Sequence, residues 1–216
     1  MTFAFILAAW IFSVCLHEFA HAAVAYAGGD TTVKDKGYLT LNPLKFTDPL
    51  TSIILPIAFL VIGGLGLPGG CVYIERQLLR SQAWDCAVSL AGPAANLILA
   101  VLLAAPFFLG FVDPASTSSV WQAYAFLVVL QFSAVLFNLI PVPPFDGFQA
   151  MAAWFDEEFR AQVMAYSSYG FFAVFLLFWY VEPVGDAFWN VVFTAAAFLG
   201  VPPDMAIDGL RAFRLF

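Results

Sequence analysis

Cys15-Leu16-His17-Glu18-Phe19-Ala20-His21 is the stretch that decides how this chain is read. It holds the only two histidines of the 216 residues, with a glutamate beside the first, inside an otherwise apolar run from Thr2 to Ala27. On a helix, residues four apart lie one turn apart on one face, so His17 and His21 can grip a single metal ion. Glu18 can reach a water held at the same place. H-E-x-x-H on a helix is the pattern in which two imidazoles bind zinc and the glutamate acts as general base. In a soluble helix so short a pattern is weak. In an apolar run each ionisable group costs about 2.5–3.5 kcal/mol to insert, so three within five residues point to function.

The rest of the composition places that run in a membrane. The chain is 62% hydrophobic and only 11% charged, far from the balance of a soluble domain. It reads as one polytopic, all-α membrane domain over residues 1–216, in contact with the lipid bilayer. A net charge of −7 gives no basis for nucleic-acid binding. Cys15, Cys71 and Cys86 show neither paired metal spacing nor a disulfide framework, and Cys15 reads as a small apolar filler. The first stretch lacks a basic start and carries the motif itself, so it is expected to remain in the mature chain.

About five transmembrane helices are expected. Thr2–Ala27 is about 39 Å long at 1.5 Å per residue and ends at Gly28-Gly29-Asp30. Ala83–Phe111, Val120–Ile140, Gln162–Val181 and the shorter Phe188–Leu199 follow. Between the first two, Thr31-Thr32-Val33 and Tyr38-Leu39-Thr40-Leu41 around Gly37 predict short strands joined by a turn, hence intramembrane β-hairpins. Asn42-Pro43 and Asp48-Pro49 are turn or helix-start signals. Phe148–Arg160 suggests an interfacial helix, Glu182–Asp186 a turn, and the tail carries Arg211 and Arg214.

Leu50–Leu67 is apolar but broken by Pro56, Gly63, Gly64 and Gly66, and it can either cross or dip in and return. Crossing divides the lysines and arginines three against five, which orients nothing. A re-entrant path puts all eight on one side, as the positive-inside rule expects. It also brings Asp146 to the same cytoplasmic end as the histidines, and it is the favoured reading. Irregular backbone at that depth is tolerated beside a covered, wet site.

A catalytic zinc takes three protein ligands and keeps a position for water. The third candidate is Asp146. Pro141, Pro143 and Pro144 before it cannot continue a helix, so the backbone unwinds and can aim the aspartate inward. Glu18 would take a proton from the zinc-activated water and pass it to the leaving amine. Asn138 and Asn96 are amides near helix ends or kinks, and either could steady the developing oxyanion. Gly92-Pro93 reads as close helix packing with a local kink. A metal transporter would need a relay of such groups across the bilayer, and only one cluster exists.

With these residues in place, the chain resembles the site-2 protease family of intramembrane zinc metalloproteases, peptidase family M50. His17-Glu18-Phe19-Ala20-His21 is similar to the family's first motif. Asn138 through Asp146-Gly147 is similar to its second, and Ala91-Gly92-Pro93 through Asn96 to a third. Phe145 stands where leucine is commoner. The resemblance implies one zinc per chain held by His17, His21 and Asp146, with Glu18 as base and Asn138 helping to bind or orient the substrate. It implies a transmembrane protein or peptide as substrate, paired against the strands that follow the first helix. It also implies a minimal, PDZ- and CBS-free member in a bacterial plasma membrane, its site toward the cytoplasm. Substrate identity and oligomeric state stay open.

Overall fold

The computed structural model describes residues 2–46 and 72–213. Its helices run in the order α1 (Thr2–Gly28), α2 (Thr32–Asp35), α3 (Gln82–Phe108), α4 (Ser119–Asn138), α5 (Asp146–Ala152), α6 (Glu157–Met164), α7 (Ser167–Tyr180), α8 (Glu182–Phe198) and α9 (Pro203–Phe213). Among the described residues there is no strand. α1, α3 and α4 are each apolar and long enough to cross a bilayer, which makes this a membrane protein. Two bent pairs, α6 with α7 at 55° and α8 with α9 at 117°, bring the count of candidate spans from three to five if each pair is one span.

α4 is the central post. It is apolar on every side, so it is stable only where every side is covered. α1, α3, α8 and α9 cover it. At one end Phe213 of α9 stacks on Phe3 of α1 at 4.9 Å and packs against Phe126 of α4. Gly209 lets α9 approach closely, because a Cβ there would overlap the Gln122 carbonyl oxygen. At the other end α1 meets the start of α3. The Arg80 N–H donates to the Gly28 carbonyl at 2.9 Å, and Gly29, at φ 123°, turns the chain out of α1.

Several expectations are corrected here. The strands around Gly37 do not form: Thr32–Asp35 is helical and Tyr38–Leu41 is a run of bends. The reason is Asp30, fully buried. Its Oδ1 accepts from the Thr32 N–H and hydroxyl at 3.0 and 2.6 Å, an Asx turn just ahead of the helix. Its Oδ2 accepts from the Glu75 N–H at 2.8 Å. Lys36 also reaches Glu75, at 2.7 Å, so the chain before residue 47 and after residue 71 lies at one end of α1. The expected re-entrant segment Leu50–Leu67 falls outside the described residues. Gln162–Val181 is not one straight span, since the helix breaks at Ala165–Tyr166. Phe148–Arg160 is two helices, the second capped by Asp156. Glu182–Asp186 is the first turn of α8, with Pro183 in its opening turn, where proline's missing N–H costs nothing. The tail is a helix, and Arg211 on it lies at the Phe3 end, away from Lys36, Arg76, Arg80 and Arg160. Arg211 thus stands apart from those four cations.

One ion cluster ties the loops at the histidine end. Asp85, buried in the first turn of α3, receives Arg76 on Oδ1 and Arg160 Nη1 on Oδ2 at 2.7 Å. Arg160 Nη2 donates to Gln149 on α5 at 3.1 Å. Burial pulls the Arg76 guanidinium below its usual range, and the charge of Asp85 opposes that pull. Removing the shared anion would leave two part-buried cations facing each other. Asp85→Ala is expected to destabilise the protein by about 3 kcal/mol in thermal unfolding of the detergent-purified chain. Lys36→Ala, which breaks an exposed pair, should change stability by less than about 1 kcal/mol.

Candidate metal centre

α1 carries His17, Glu18 and His21, all at least nine-tenths buried. The two rings meet edge to face with centroids 4.7 Å apart, as one helical turn dictates. Each ring is held by its far nitrogen against α3. His17 Nδ1 donates to Asn96 Oδ1 at 2.8 Å, and His21 Nδ1 donates to the Val88 carbonyl at 2.6 Å. With both Nδ1 protons committed, both Nε2 atoms carry lone pairs. These two lone-pair nitrogens face each other at 3.0 Å.

Asp146 comes to the same point from the start of α5. Its Oδ2 lies 3.2 Å from His17 Nε2 and 3.5 Å from His21 Nε2, and it receives no hydrogen bond. The proline run that follows α4 is not helical, as expected from its sequence, and two neighbours fix the aspartate's aim. On one side Phe145 is a buried peg, its ring edge-on to Phe137 at 4.9 Å and packed beside Phe171. On the other, Gly147 sits so close to the Leu139 carbonyl that a Cβ would overlap it.

With both rings neutral, three lone-pair atoms converge within 3.5 Å. Left alone they repel; a cation at their centre reverses the sign. For a tetrahedral zinc with bonds of about 2.0–2.1 Å, ligand atoms stand about 3.3 Å apart, which matches the observed separations. His17, His21 and Asp146 could thus hold one ion. Gly92 provides the clearance: a Cβ on it would overlap Nε2 of both histidines. The sequence reading of Gly92 as close helix packing was incomplete, since its bareness serves the metal-facing nitrogens as much as the helix contact.

A cavity of about 340 Å³ opens beside this point, with His17, Glu18, His21, Arg76, Asn138 and Gln149 in its wall. Glu18 stays outside the three-atom cluster and lines the same cavity as Val72. Val72 and Ile74 form another wall on an extended stretch of chain. Asn138 faces the cavity; its Nδ2 donates one hydrogen to the Ala134 carbonyl at 3.0 Å. Asn96 does not face it, because its amide is spent between His17 and Gln131. Cys15 is buried and apart from the converging atoms. Three contributors went unread in the sequence: the Val88 carbonyl, Arg76 and Gln131. Only Gln131 left a trace there, as a lone amide inside an apolar run.

The chain is 40% identical to a protein named "Putative zinc metalloprotease Rip2" from Mycolicibacterium smegmatis, over 99% of this chain and 81% of the relative. It is 38% identical to the Rip2 of Mycobacterium tuberculosis, over 96% of this chain and 78% of the relative. It is 36% identical to "Putative zinc metalloprotease YwhC" from Bacillus subtilis, over 82% of this chain and 80% of the relative. No family model and no solved structure matches the chain.

Gly92→Ala is expected to lower zinc affinity at least about tenfold in a chelator competition on the purified protein. Gly185→Ala, whose new Cβ would meet nothing closer than 3.7 Å, should bind zinc as the wild type does.

Proposed function

Because the chain belongs to the site-2 protease family of zinc metalloproteases, we propose that it hydrolyses peptide bonds within or near the transmembrane segments of other membrane proteins. It is a zinc-dependent peptidase, and its substrates are proteins or peptides. The reading that cleavage occurs at membrane depth rests on one observation. The converging ligand atoms are buried inside α1, a helix apolar and long enough to cross the bilayer, and the cavity beside them is walled by the same helix.

In this proposal His17, His21 and Asp146 hold the ion. When bound, zinc polarises the scissile carbonyl and makes the attacking water more acidic. Glu18, the neighbour of His17 in the cavity wall, accepts the proton of that water and later delivers it to the leaving amine. Asn138 keeps one Nδ2 hydrogen beyond its bond to Ala134, and it offers that hydrogen to the carbonyl oxygen as charge develops. An intact helix is about 10–12 Å across and keeps its carbonyls bonded, so a cavity of this size suits an unwound segment. The extended Val72–Ile74 stretch gives such a segment backbone to lie along.

Orientation follows from charge. Lys36, Arg76, Arg80 and Arg160 gather at the metal end, so that end faces the cytoplasm in a bacterial plasma membrane, with Arg211 opposed.

Glu18→Gln should retain zinc and fold but cut the cleavage of a single-span reporter protein by about 10²–10⁴-fold. Asp146→Ala should lose the zinc itself, read by metal analysis of the purified protein. Cleavage at the wild-type rate by Glu18→Gln would refute the general-base assignment.

A further inference from the structure

We infer that Arg76, in the cavity wall, takes a carboxylate of the substrate and so makes the peptidase selective for a negative charge close to the cleaved bond. This rests on the substrate path along Val72–Ile74 proposed above.

Residues 72–76 alternate. Tyr73 and Glu75 are exposed, whereas Val72, Ile74 and Arg76 are half-buried and line the cavity. On extended backbone, residues two apart share a face. One face of this stretch therefore offers the cavity two apolar side chains and then a guanidinium. A peptide lying alongside meets apolar wall and then a held cation.

Arg76 has donors to spare, because its structural bonds use one nitrogen only. A guanidinium carries five N–H donors. Nη1 donates to Asp85 Oδ1 and, at 3.3 Å, to Ser89 Oγ. Nε and Nη2 have no hydrogen-bond partner among the described residues and are not sealed from open space. Those two nitrogens form the parallel N–H fork that grips both oxygens of a carboxylate.

The local charge favours the same ligand. Asp85 stands between two guanidinium groups, with Arg160 on its second oxygen. One negative charge against two positive ones leaves the cluster cationic, and Arg76 is its member in the cavity wall. Other polar groups there are committed. Gln149 bonds Arg160 and Met164 Sδ, and Ser89 donates to the Asp85 carbonyl. Asp146 and Glu18 would balance the two charges of the metal, so the uncompensated charge in the wall belongs to Arg76.

Its partners also fix the side. Asp85 and Ser89, which hold Arg76, lie nearer the start of α3 than Asn96, which holds His17. The start of α3 meets the Gly28 end of α1. The favoured carboxylate thus lies on the side of the cleaved bond toward that end.

The test is a reporter series cleaved by the full-length chain in detergent. Glutamate is moved one position at a time through the residues flanking the cleaved bond of a single-span reporter, each with a glutamine twin, and kcat/KM is compared. A second pair of reporters ends at the favoured position, as a free carboxylate or as its amide, and tells a chain end from a side chain as the source. In the wild type one position should favour carboxylate over amide about tenfold, and lysine there should fall below glutamine. The preference should shrink as salt is raised. In Arg76→Gln the ratio should fall to about one. A ratio cancels any loss of folded protein common to all reporters, so a merely structural Arg76 would leave it unmoved. A preference that survives Arg76→Gln would overturn the inference. So would wild-type cleavage indifferent to charge at every position, an outcome that needs no variant to fold. Failure to cleave any reporter, charged or neutral, would instead bring down the membrane-segment reading and this inference with it.

Discussion

Two imidazole nitrogens and one carboxylate oxygen stand 3.0–3.5 Å apart in the interior of this protein, each able to offer a lone pair to one cation. Such an arrangement is unfavourable by itself, so the surrounding structure has to impose it. α1 supplies two of the atoms by helical spacing alone. α3 holds both rings from behind, through Asn96 and the Val88 carbonyl, and it comes close enough to do so because Gly92 has no side chain. The third atom arrives on a chain that has left α4, pinned by Phe145 in its aromatic nest and by the bare Gly147 against Leu139. The Asp85 cluster then binds α5, α6 and the loop before α3 into one cap over the cavity. Most tight contacts at this end serve to hold unwilling neighbours together.

How much of this the sequence disclosed follows the range of each interaction. The His17–Glu18–His21 motif was legible because it is local; one turn of helix converts its spacing directly into geometry. Asp146 was legible at longer range only because prolines announce where a helix must end. The three long helices could be read from their apolar runs. The strands around Gly37 were misread, since alternating residues look the same whether or not a buried aspartate turns the chain just ahead of them. α9 was overlooked because it mixes charges with a narrow buried face of Met205, Ala206, Gly209 and Phe213. The breaks inside the last two spans depend on packing around α4, which no local pattern records. Gln131 was missed for a related reason. A single amide in an apolar helix announces that it needs a partner and says nothing of which one.

The cavity lies among helices long and apolar enough to cross a bilayer, which constrains its polar groups. Polar backbone and side chains at membrane depth must be satisfied within the protein. Here the histidines' partners are on α3, and the cavity is walled by α1, α3, α4, α5, α7 and the chain before α3 and α5. The extended Val72–Ile74 stretch lines the cavity beside Glu18.

The choice of amides behind the histidine is itself informative. Many zinc-bound histidines lean on a carboxylate, which fixes the tautomer without further support. In this site a divalent cation, one aspartate and one glutamate would already sum to zero. A second carboxylate behind His17 would leave an unbalanced negative charge in a low-dielectric interior, where uncompensated charge is most expensive. An asparagine carries the required oxygen without the charge, but its two ends are interchangeable, and it orients the imidazole only if something orients it. Gln131 on α4 satisfies the NH₂ end of that asparagine, as an uncharged partner in the same interior.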